Sequence, residues 1–302
     1  MADGHVRRMA ELFDLVADEY DQHVPFFTAY ARRFVPWLDV RPGDRFLDIG
    51  VGRGAVARVA EEVGAQVLGV DVSLAMLAKS PYPAALMDAQ RLAVRSGFVD
   101  IAAGAFSIHL CEDPRAAVVE AARVLRPGGT FGVVFGGRTS TPQWRFYNEI
   151  LKRYAVHSHG EPRMPPLVPV GDPHEVLGAA GLVDIEVGDC EIHVPVADGE
   201  SFLRGELAHG YRSLFDAVAP DRRPEMEAEM LEHLRRMEAS GGIVLDRVAI
   251  FAKGTKAGGW RSTNGSAPLY SQTTLIEGGD LSRHVGPESP AALRRWHLNE
   301  FR

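Results

Sequence analysis

The chain has 302 residues, of which 46% are hydrophobic and 24% are charged, a composition typical of a folded protein rather than a disordered one. Its 40 acidic and 33 basic residues give a formal net charge of −7, which argues against nucleic acid as the main partner. Apolar runs stay shorter than the roughly 18 to 20 residues of a membrane span, and acidic residues interrupt the N-terminal stretch where a signal peptide needs apolar ones. Cys111 and Cys190 are too few for a disulfide framework. We therefore expect a cytoplasmic protein with reduced thiols and no membrane or nucleic-acid partner.

The first 40 residues predict two amphipathic helices, because apolar side chains recur at helical spacing between residues 6 and 20 and again between 27 and 38. A Pro-Gly-Asp turn at 42–44 then precedes an alternation of short apolar strands and helices. The strands are predicted at 45–49, 66–70, 85–87, 99–105 and 130–135, and the helices at 55–63, 73–79 and 114–124. Strands and helices that alternate in this way form βαβ units, so residues 41–140 are predicted to be a doubly wound α/β core.

The pattern changes after residue 140. An aromatic-rich segment and a proline-rich segment precede two further strands, with long helices between them; the strands are predicted at 183–187 and 243–253 and the helices at 201–218 and 225–238. Residues 141–256 are expected to add substrate-side insertions and the last strands to the same domain. The Gly/Ser/Thr-rich stretch after Lys253 leads into a C-terminal extension at 257–302. Disorder, docking over the substrate site and docking on a second subunit, as in a homodimer, all stay open for this extension.

A glycine-rich loop joins the first predicted strand to the helix that follows it. It reads Asp48-Ile49-Gly50-Val51-Gly52-Arg53-Gly54, and Asp71 follows about 20 residues later at the end of the second strand. Such a loop lets a ligand approach bare backbone, and an acid at that strand end can accept hydrogen bonds from both hydroxyls of a ribose. The sequence therefore predicts an adenosine-type ligand. The looser dinucleotide fingerprint also fits, so a nicotinamide or flavin enzyme is an alternative.

Three residues favour a different adenosine ligand over a dinucleotide. Asp48 lies two residues before the first glycine, where a dinucleotide site usually has an apolar residue and where a cationic amino group needs a carboxylate. Gly54 adds a third glycine at the alternate position. Asp88, at the tip of the third strand, can accept a hydrogen bond from the exocyclic amine of adenine.

With these residues the sequence resembles the class I S-adenosylmethionine-dependent methyltransferases, in particular the small-molecule branch called methyltransferase type 11 or ubiquinone-biosynthesis-like. The resemblance extends over about residues 10–255 and rests on four motifs, at 46–54, 70–73, 88–92 and 122–129. It implies a Rossmann-like, doubly wound, seven-stranded and mostly parallel sheet with helices on both faces. It also implies N-terminal lid helices at 1–40 and a helical insertion before the last strand.

The resemblance assigns S-adenosylmethionine as the cofactor and names residues that hold it. It implies that Asp48 and the glycine loop, with Gly50, Gly52 and Gly54, contact the methionine part, that Asp71 contacts the ribose, and that Asp88 and Ala89 contact the adenine; Val72 belongs to the same cofactor site. Tyr20 resembles the lid tyrosine of the family. Two simpler interpretations remain, since Asp48 can merely cap the following turn and Tyr20 can be the last core residue of its helix.

The acceptor side is less well specified. His109 directly follows the fourth strand, at the sheet edge where ligands bind in such folds, and is predicted as a general base, with a plain hydrogen-bonded histidine as the alternative. Trp144, Tyr147 and His157 belong to the aromatic segment and its continuation. These three are predicted to bind a flat substrate, although the aromatic residues can equally be ordinary core.

Together these features predict methyl transfer from S-adenosylmethionine to a small organic acceptor by in-line displacement. An oxygen of an aromatic or polyketide-like specialised metabolite is the first choice of acceptor, and a nucleophilic ring carbon of a phenol or indole is the second. Motifs of adenine or glutamine methylation, cytosine methylation and metal-dependent catechol methylation are missing, so no metal is expected. Two alternatives stay open: a methyltransferase-fold cyclase that binds the cofactor without turning it over, and a nicotinamide-dependent oxidoreductase.

Overall fold

The structure, a computed structural model, describes residues 2–139, 142–155, 170–209 and 212–258. Within these residues the strands form one seven-stranded sheet in the order β3-β2-β1-β4-β5-β7-β6. The strands are β1 (Arg45–Ile49), β2 (Gln66–Asp71), β3 (Ala84–Leu86), β4 (Val99–Ala105), β5 (Leu125–Thr139), β6 (Leu182–Val196) and β7 (Ile243–Lys256). The helices are α1 (Ala2–Val16), α2 (Phe26–Trp37), α3 (Ala55–Val63), α4 (Leu74–Lys79), α5 (Pro114–Val124), α6 (Arg145–Ala155), α7 (Pro173–Ala179), α8 (Gly199–Leu207), α9 (Arg212–Asp216) and α10 (Arg223–Ala239).

The sheet is mostly parallel. Strands β3, β2, β1, β4 and β5 pair in parallel, whereas β7 is antiparallel to both of its neighbours, β5 and β6. This is the predicted Rossmann-like architecture. Because parallel strands bring their carboxyl ends to one edge of a sheet, the glycine loop after β1, Asp71 at the end of β2 and the segment after β4 meet there.

Helices α4 and α5 each begin with a side-chain cap. The Ser73 hydroxyl accepts a hydrogen bond from the Met76 N–H at 3.1 Å, and the Asp113 carboxylate accepts one from the Ala116 N–H at 3.1 Å. Pro114 follows Asp113 at the first position of α5, where a helix needs no N–H donor. Both caps satisfy backbone donors that have no partner within the helix, so short-range hydrogen bonds fix the first residue of each helix.

Three predicted boundaries are wrong. The helix predicted at 201–218 is two helices, α8 and α9, because α8 ends at Leu207 in a tight turn, where the Ala208 N–H bonds to the Gly205 carbonyl. Strand β6 runs to Val196 rather than to residue 187, since it pairs with β7 along almost its whole length. As an edge strand it tolerates Pro195, which cannot donate to a ladder. Strand β5 begins at Leu125, five residues before the predicted start.

Residues 1–257 form one compact unit. The predicted lid helices, cofactor core and later strands are therefore parts of a single body. Of the predicted extension at 257–302, all but the first two residues lie outside the described residues. No helix in the described part of the chain is long and apolar enough to cross a membrane.

Candidate active site

The glycine loop passes directly beneath the segment that follows β4. Gly50 and Gly54 have φ values of 78° and 87°, which side-chain-bearing residues rarely adopt. A Cβ on Gly50 would lie 2.3 Å from the Ser107 Cβ, and a Cβ on Gly54 would lie 2.5 Å from the Tyr82 ring. The Ser107 hydroxyl donates to the Ile49 carbonyl at 2.5 Å, which fixes this approach. The loop therefore needs glycine for its own packing and presents bare backbone to the edge of the sheet.

Asp71, the last residue of β2, connects this strand to the glycine loop and to the start of α4 through hydrogen bonds. One carboxylate oxygen accepts a hydrogen bond from the Gly52 N–H at 2.8 Å, and the other accepts one from the Ser73 N–H at 2.9 Å. Burial raises the pKa of this carboxyl, while the backbone donors act in the opposite direction. A carboxylate offers about four acceptor positions, so Asp71 can hold the loop in place and still accept from two ribose hydroxyls.

Asp48 lies deeper, under the glycine loop. It is 2% exposed, and its carboxylate accepts a hydrogen bond from the Ala57 N–H, in the first turn of α3, at 3.0 Å. Burial, with a contribution from the charge of Asp71, raises the pKa of Asp48 to about 7. A buried carboxyl that bonds to a backbone N–H, rather than to a cationic side chain, is well suited to a ligand that brings a positive charge.

Asp88 lies in the loop just after β3, which ends at Leu86. Its Oδ1 accepts hydrogen bonds from the backbone N–H and the side-chain amide of Gln90, at 2.9 and 3.0 Å. Arg91 lies 3.6 Å from the other oxygen, and the Asp88 side chain is 15% exposed. The carboxylate is thus held in a fixed orientation while one oxygen keeps room for a further donor.

Two cavities meet at this edge of the sheet. The first has a volume of about 760 Å³, open solvent at its mouth included, and its lining includes seven of the predicted cofactor residues: Tyr20, Gly50, Gly52, Asp71, Val72, Asp88 and Ala89. The second has a volume of about 1170 Å³, measured in the same way, and its lining includes Asp48. The cavities share a wall that contains Tyr20, Ala105 and Phe106. Gly54 lines neither cavity, so the geometry supports a packing role for it rather than ligand contact.

Helix α1, within the segment for which the resemblance implies lid helices, covers the first cavity, and the sequence singled out none of its lining residues as site residues. Four of its residues line the cavity: His5, Val6, Met9 and Phe13. The Asp14 carboxylate fastens the helix, because it accepts from the Ser73 hydroxyl at 2.5 Å and from the Ala75 N–H at 3.0 Å. The His5 ring also lies 2.7 Å from the Leu110 carbonyl. The 3.6-residue stripe of α1 was the available signal, but a stripe does not distinguish core from cavity wall.

An aromatic cluster stands beside the shared wall. Phe26, Phe27 and Tyr30 of α2 pack around Phe106, with ring centroids 5.2 to 5.4 Å from that of Phe106. Tyr20 stacks on Phe27 with centroids 4.9 Å apart and planes at 12°. Phe27 and Phe106 both line the second cavity. The cluster therefore gives this part of the site flat apolar surfaces.

A buried polar cluster lies behind the aromatic rings. The Glu206 carboxylate accepts a hydrogen bond from the Tyr147 hydroxyl and lies 3.8 Å from His209 Nε2 and 3.9 Å from the Arg247 guanidinium. The side chains of Glu206 and Arg247 are each 4% exposed. Charges are buried in this way when they are paired, so the cluster is one electrostatic unit.

The predicted acceptor-side residues, unlike most of the predicted cofactor residues, do not line the two cavities where the structure describes them. Trp144 is fully buried, donates to the Val244 carbonyl at 3.0 Å and packs on Phe202, so its place is in the core rather than in a pocket wall. Tyr147 belongs to the buried polar cluster and does not line either cavity. His157 lies outside the described residues.

His109 lies in a short 3-10 turn at Ile108–Leu110, and burial lowers its pKa to about 4. Its neighbours Ser107 and Leu110 line the first cavity, but His109 lines neither of the two cavities. A base role for His109 stays a prediction, and this geometry does not favour it. Across the described residues, no group of three or more His, Cys, Asp or Glu side chains is arranged to hold a metal ion.

Comparison with known proteins identifies the family. Residues 47–133 match the family model described as a methyltransferase domain. Over 265 residues the chain is 31% identical to nocamycin O-methyltransferase from Saccharothrix syringae, with 77% of this chain and 92% of that protein covered. It is 31% identical over 140 residues to aklanonic acid methyltransferase DauC from Streptomyces sp. (strain C5), with 42% and 64% covered. The fold is similar to that of the YcgJ protein from Bacillus subtilis, with a TM-score of 0.50 and 19% identity over 76% of this chain and 99% of that one.

The chain therefore belongs to the class I S-adenosylmethionine-dependent methyltransferases. It is an enzyme whose methyl donor is S-adenosylmethionine, which sets aside the nicotinamide alternative. The relatives from nocamycin and aklanonic acid chemistry connect it with natural-product pathways.

Proposed function

We propose that this enzyme methylates an oxygen of a small specialised metabolite with an aromatic or polyketide-like skeleton. The rings of Phe27 and Phe106, which pack on Phe26 and Tyr30, carry the proposal, because they line the second cavity and suit an unsaturated ring system. The likeness to nocamycin O-methyltransferase, over nearly the whole of that protein, supports oxygen over carbon as the acceptor atom.

The three carboxylates give the proposed orientation of the cofactor. Asp88, with Ala89, holds the adenine, Asp71 holds the ribose hydroxyls, and Asp48 pairs with the amino group of the methionine part. The fit rests on two observations: Asp71 keeps acceptor positions after its two backbone bonds, and buried Asp48 bonds to a backbone donor rather than to a cation. This order along the sheet edge leaves the wall shared by the two cavities, at Ala105 and Phe106, for the methyl transfer.

When bound, S-adenosylmethionine supplies a methyl group on a positively charged sulfur, which makes that carbon electrophilic. The work of the protein is alignment and the exclusion of water. Helix α1, fastened by Asp14, closes the first cavity, and the rings of Phe27 and Phe106 shield the second. A hydroxyl acceptor must also lose a proton, so a group able to take that proton is needed near the aromatic cluster.

The proposal is tested with methyl-labelled S-adenosylmethionine and a panel of acceptors. The panel contains matched naphthalene and anthraquinone compounds that carry a phenol, a carboxylic acid or a methyl ether in the same position. Mass spectrometry and NMR then show which atom receives the label. We expect labelled oxygen in the phenols or acids and no product from the ethers. Label on ring carbons would overturn oxygen methylation, and binding of S-adenosylhomocysteine without transfer to any acceptor of the panel would overturn the proposed acceptor class.

A further inference from the structure

We propose that Arg53 binds the carboxylate of the methionine part of S-adenosylmethionine, through the two guanidinium nitrogens that its contacts with the protein leave free. This role rests on the proposed orientation of the cofactor, in which Asp48 pairs with the amino group. It depends on the hydrogen bonds of Arg53 and on the second cavity, which Arg53 and Asp48 both line.

The guanidinium of Arg53 is held in place from one side. Its Nη1 donates to the main-chain carbonyls of Asp18 and Tyr20, at 3.1 Å each. A guanidinium has five N–H donors, and these two bonds use both hydrogens of Nη1. Among the described residues, no acceptor bonds to Nε or Nη2 of Arg53. Since Nε–H and Nη2–H point in parallel and can bind a carboxylate bidentately, the free edge of Arg53 is suited to that group.

Arg53 lies in the cavity where the proposed orientation puts the carboxylate. The amino and carboxylate groups of the methionine part are bonded to the same carbon, so a ligand whose amino group reaches Asp48 brings its carboxylate into the second cavity. The preceding loop residue already contacts the proposed ribose partner, because the Gly52 N–H donates to Asp71 at 2.8 Å. Consecutive residues of the glycine loop therefore lie beside the ribose and beside the amino-acid part.

Two other cationic side chains line the second cavity, and both are less suited to this role. Lys79 forms an ion pair with the Asp18 carboxylate. Arg58, on α3, is exposed and interacts with the Tyr82 hydroxyl. Arg53 is half-buried and, within the part of the chain that the structure describes, forms no ion pair. Its charge is therefore available to an anion that enters the cavity.

The two carbonyl contacts also prepare Arg53 for binding. Because they already restrict the side chain, less conformational entropy is lost when a carboxylate binds to it. The same contacts connect the glycine loop to the turn that carries Tyr20, and Tyr20 lines both cavities. A carboxylate on Arg53 is thus linked to the predicted lid residue through one side chain.

The carbonyl contacts alone also suit a purely structural role, in which Arg53 only fastens this turn. The two roles differ in how they depend on the ligand. A partner of the carboxylate matters only for a ligand that has a carboxylate, whereas a residue that fastens the turn matters for every ligand of the site. S-adenosylhomocysteine and its decarboxylated analogue, which keeps the amino group, form a matched pair that separates the two roles.

The experiment measures the affinities of both ligands by calorimetry at pH 8, above the pKa of about 7 of Asp48, with wild type, Arg53→Gln, Arg53→Lys and Arg58→Gln. We expect Arg53→Gln to weaken S-adenosylhomocysteine binding by about 10- to 100-fold and binding of the analogue by less than about threefold, because charge-assisted bonds to the carboxylate are lost. Arg53→Lys should give an intermediate loss, since lysine keeps the charge without the parallel donors. Arg58→Gln removes a cation from the same cavity and should weaken each ligand by less than about threefold.

Equal losses for both ligands in Arg53→Gln, or no loss for S-adenosylhomocysteine, would overturn the role of Arg53 and leave the proposed orientation standing. A selective loss in Arg58→Gln rather than in Arg53→Gln would overturn it as well. A deaminated analogue, which keeps the carboxylate, tests the orientation itself. If wild type binds this analogue as tightly as S-adenosylhomocysteine, Asp48 does not hold the amino group, and the role of Arg53 falls with it. The labelling panel decides the acceptor atom separately.

Discussion

Replacing Asp48 by Asn should stabilise the cofactor-free protein at high pH while it weakens cofactor binding. Asn keeps an oxygen that accepts from the Ala57 N–H and removes the ionisable group. In the folded protein the pKa of Asp48 is raised from 3.8 to about 7, chiefly by burial. Between these values the folded chain holds a proton that the unfolded chain has lost, so stability falls as the pH rises toward 7.

The magnitude follows from the size of this window. One pKa unit corresponds to about 1.4 kcal/mol, so wild type loses about 3 kcal/mol more than Asp48→Asn between pH 5 and pH 8. At about 2 °C per kcal/mol, the Tm advantage of the variant should grow by about 6 °C over that range. Urea unfolding and thermal scans at pH 5, 6, 7 and 8 measure this difference. Asp184→Asn, at an exposed position, serves as the control for the substitution itself.

The same carboxyl sets the pH dependence of cofactor binding. Since the ionised form pairs with the amino group, the affinity of wild type for S-adenosylhomocysteine should fall by up to about tenfold per pH unit below pH 7. Asp48→Asn should bind more weakly at pH 8 and lose this dependence. If the stability of the variant relative to wild type does not rise with pH, the buried carboxyl of Asp48 does not have a raised pKa. If the variant binds S-adenosylhomocysteine as tightly as wild type, Asp48 is not the partner of the amino group.

Three further outcomes are expected. Asp71→Asn should weaken S-adenosylhomocysteine binding by about 1 to 3 kcal/mol in calorimetry, because the ribose loses a charged acceptor; unchanged affinity in a folded variant would mean that the ribose is held elsewhere. Asp14→Ala should speed dissociation of S-adenosylhomocysteine by about fivefold in stopped-flow experiments, because two hydrogen bonds that fasten α1 are lost; an unchanged rate would show that α1 does not gate the cavity. His109→Gln should leave kcat within about twofold of wild type, because this residue lines neither cavity; a loss of about 100-fold would restore the sequence-based base assignment.

The placement of the proposed cofactor residues at one edge of the sheet could be predicted from sequence because its determinants are local. The loop from Asp48 to Gly54 lies within seven consecutive residues, and the caps of α4 and α5 each act over three. Strand ends in a parallel sheet then bring Asp71 and Asp88 to the same edge without any further information.

The acceptor half could not be predicted in this way. Glu206 and Arg247 belong to no motif in the sequence, and their side chains meet only in the fold, where they lie 3.9 Å apart and are each 4% exposed. Trp144 carries the same aromatic signal as a pocket wall, yet it faces the core, where its indole N–H finds the Val244 carbonyl about 100 residues away. Burial of a polar or aromatic side chain depends on distant partners, and a single sequence does not name them.

The most direct test of the account is a crystal structure of the protein with S-adenosylhomocysteine. We expect the amino group within hydrogen-bond distance of Asp48, the ribose hydroxyls on Asp71, the adenine amine on Asp88 and the sulfur facing Phe106. A complex with the ribose hydroxyls farther than about 3.5 Å from Asp71, or with the sulfur turned away from Phe106, would contradict the proposed site.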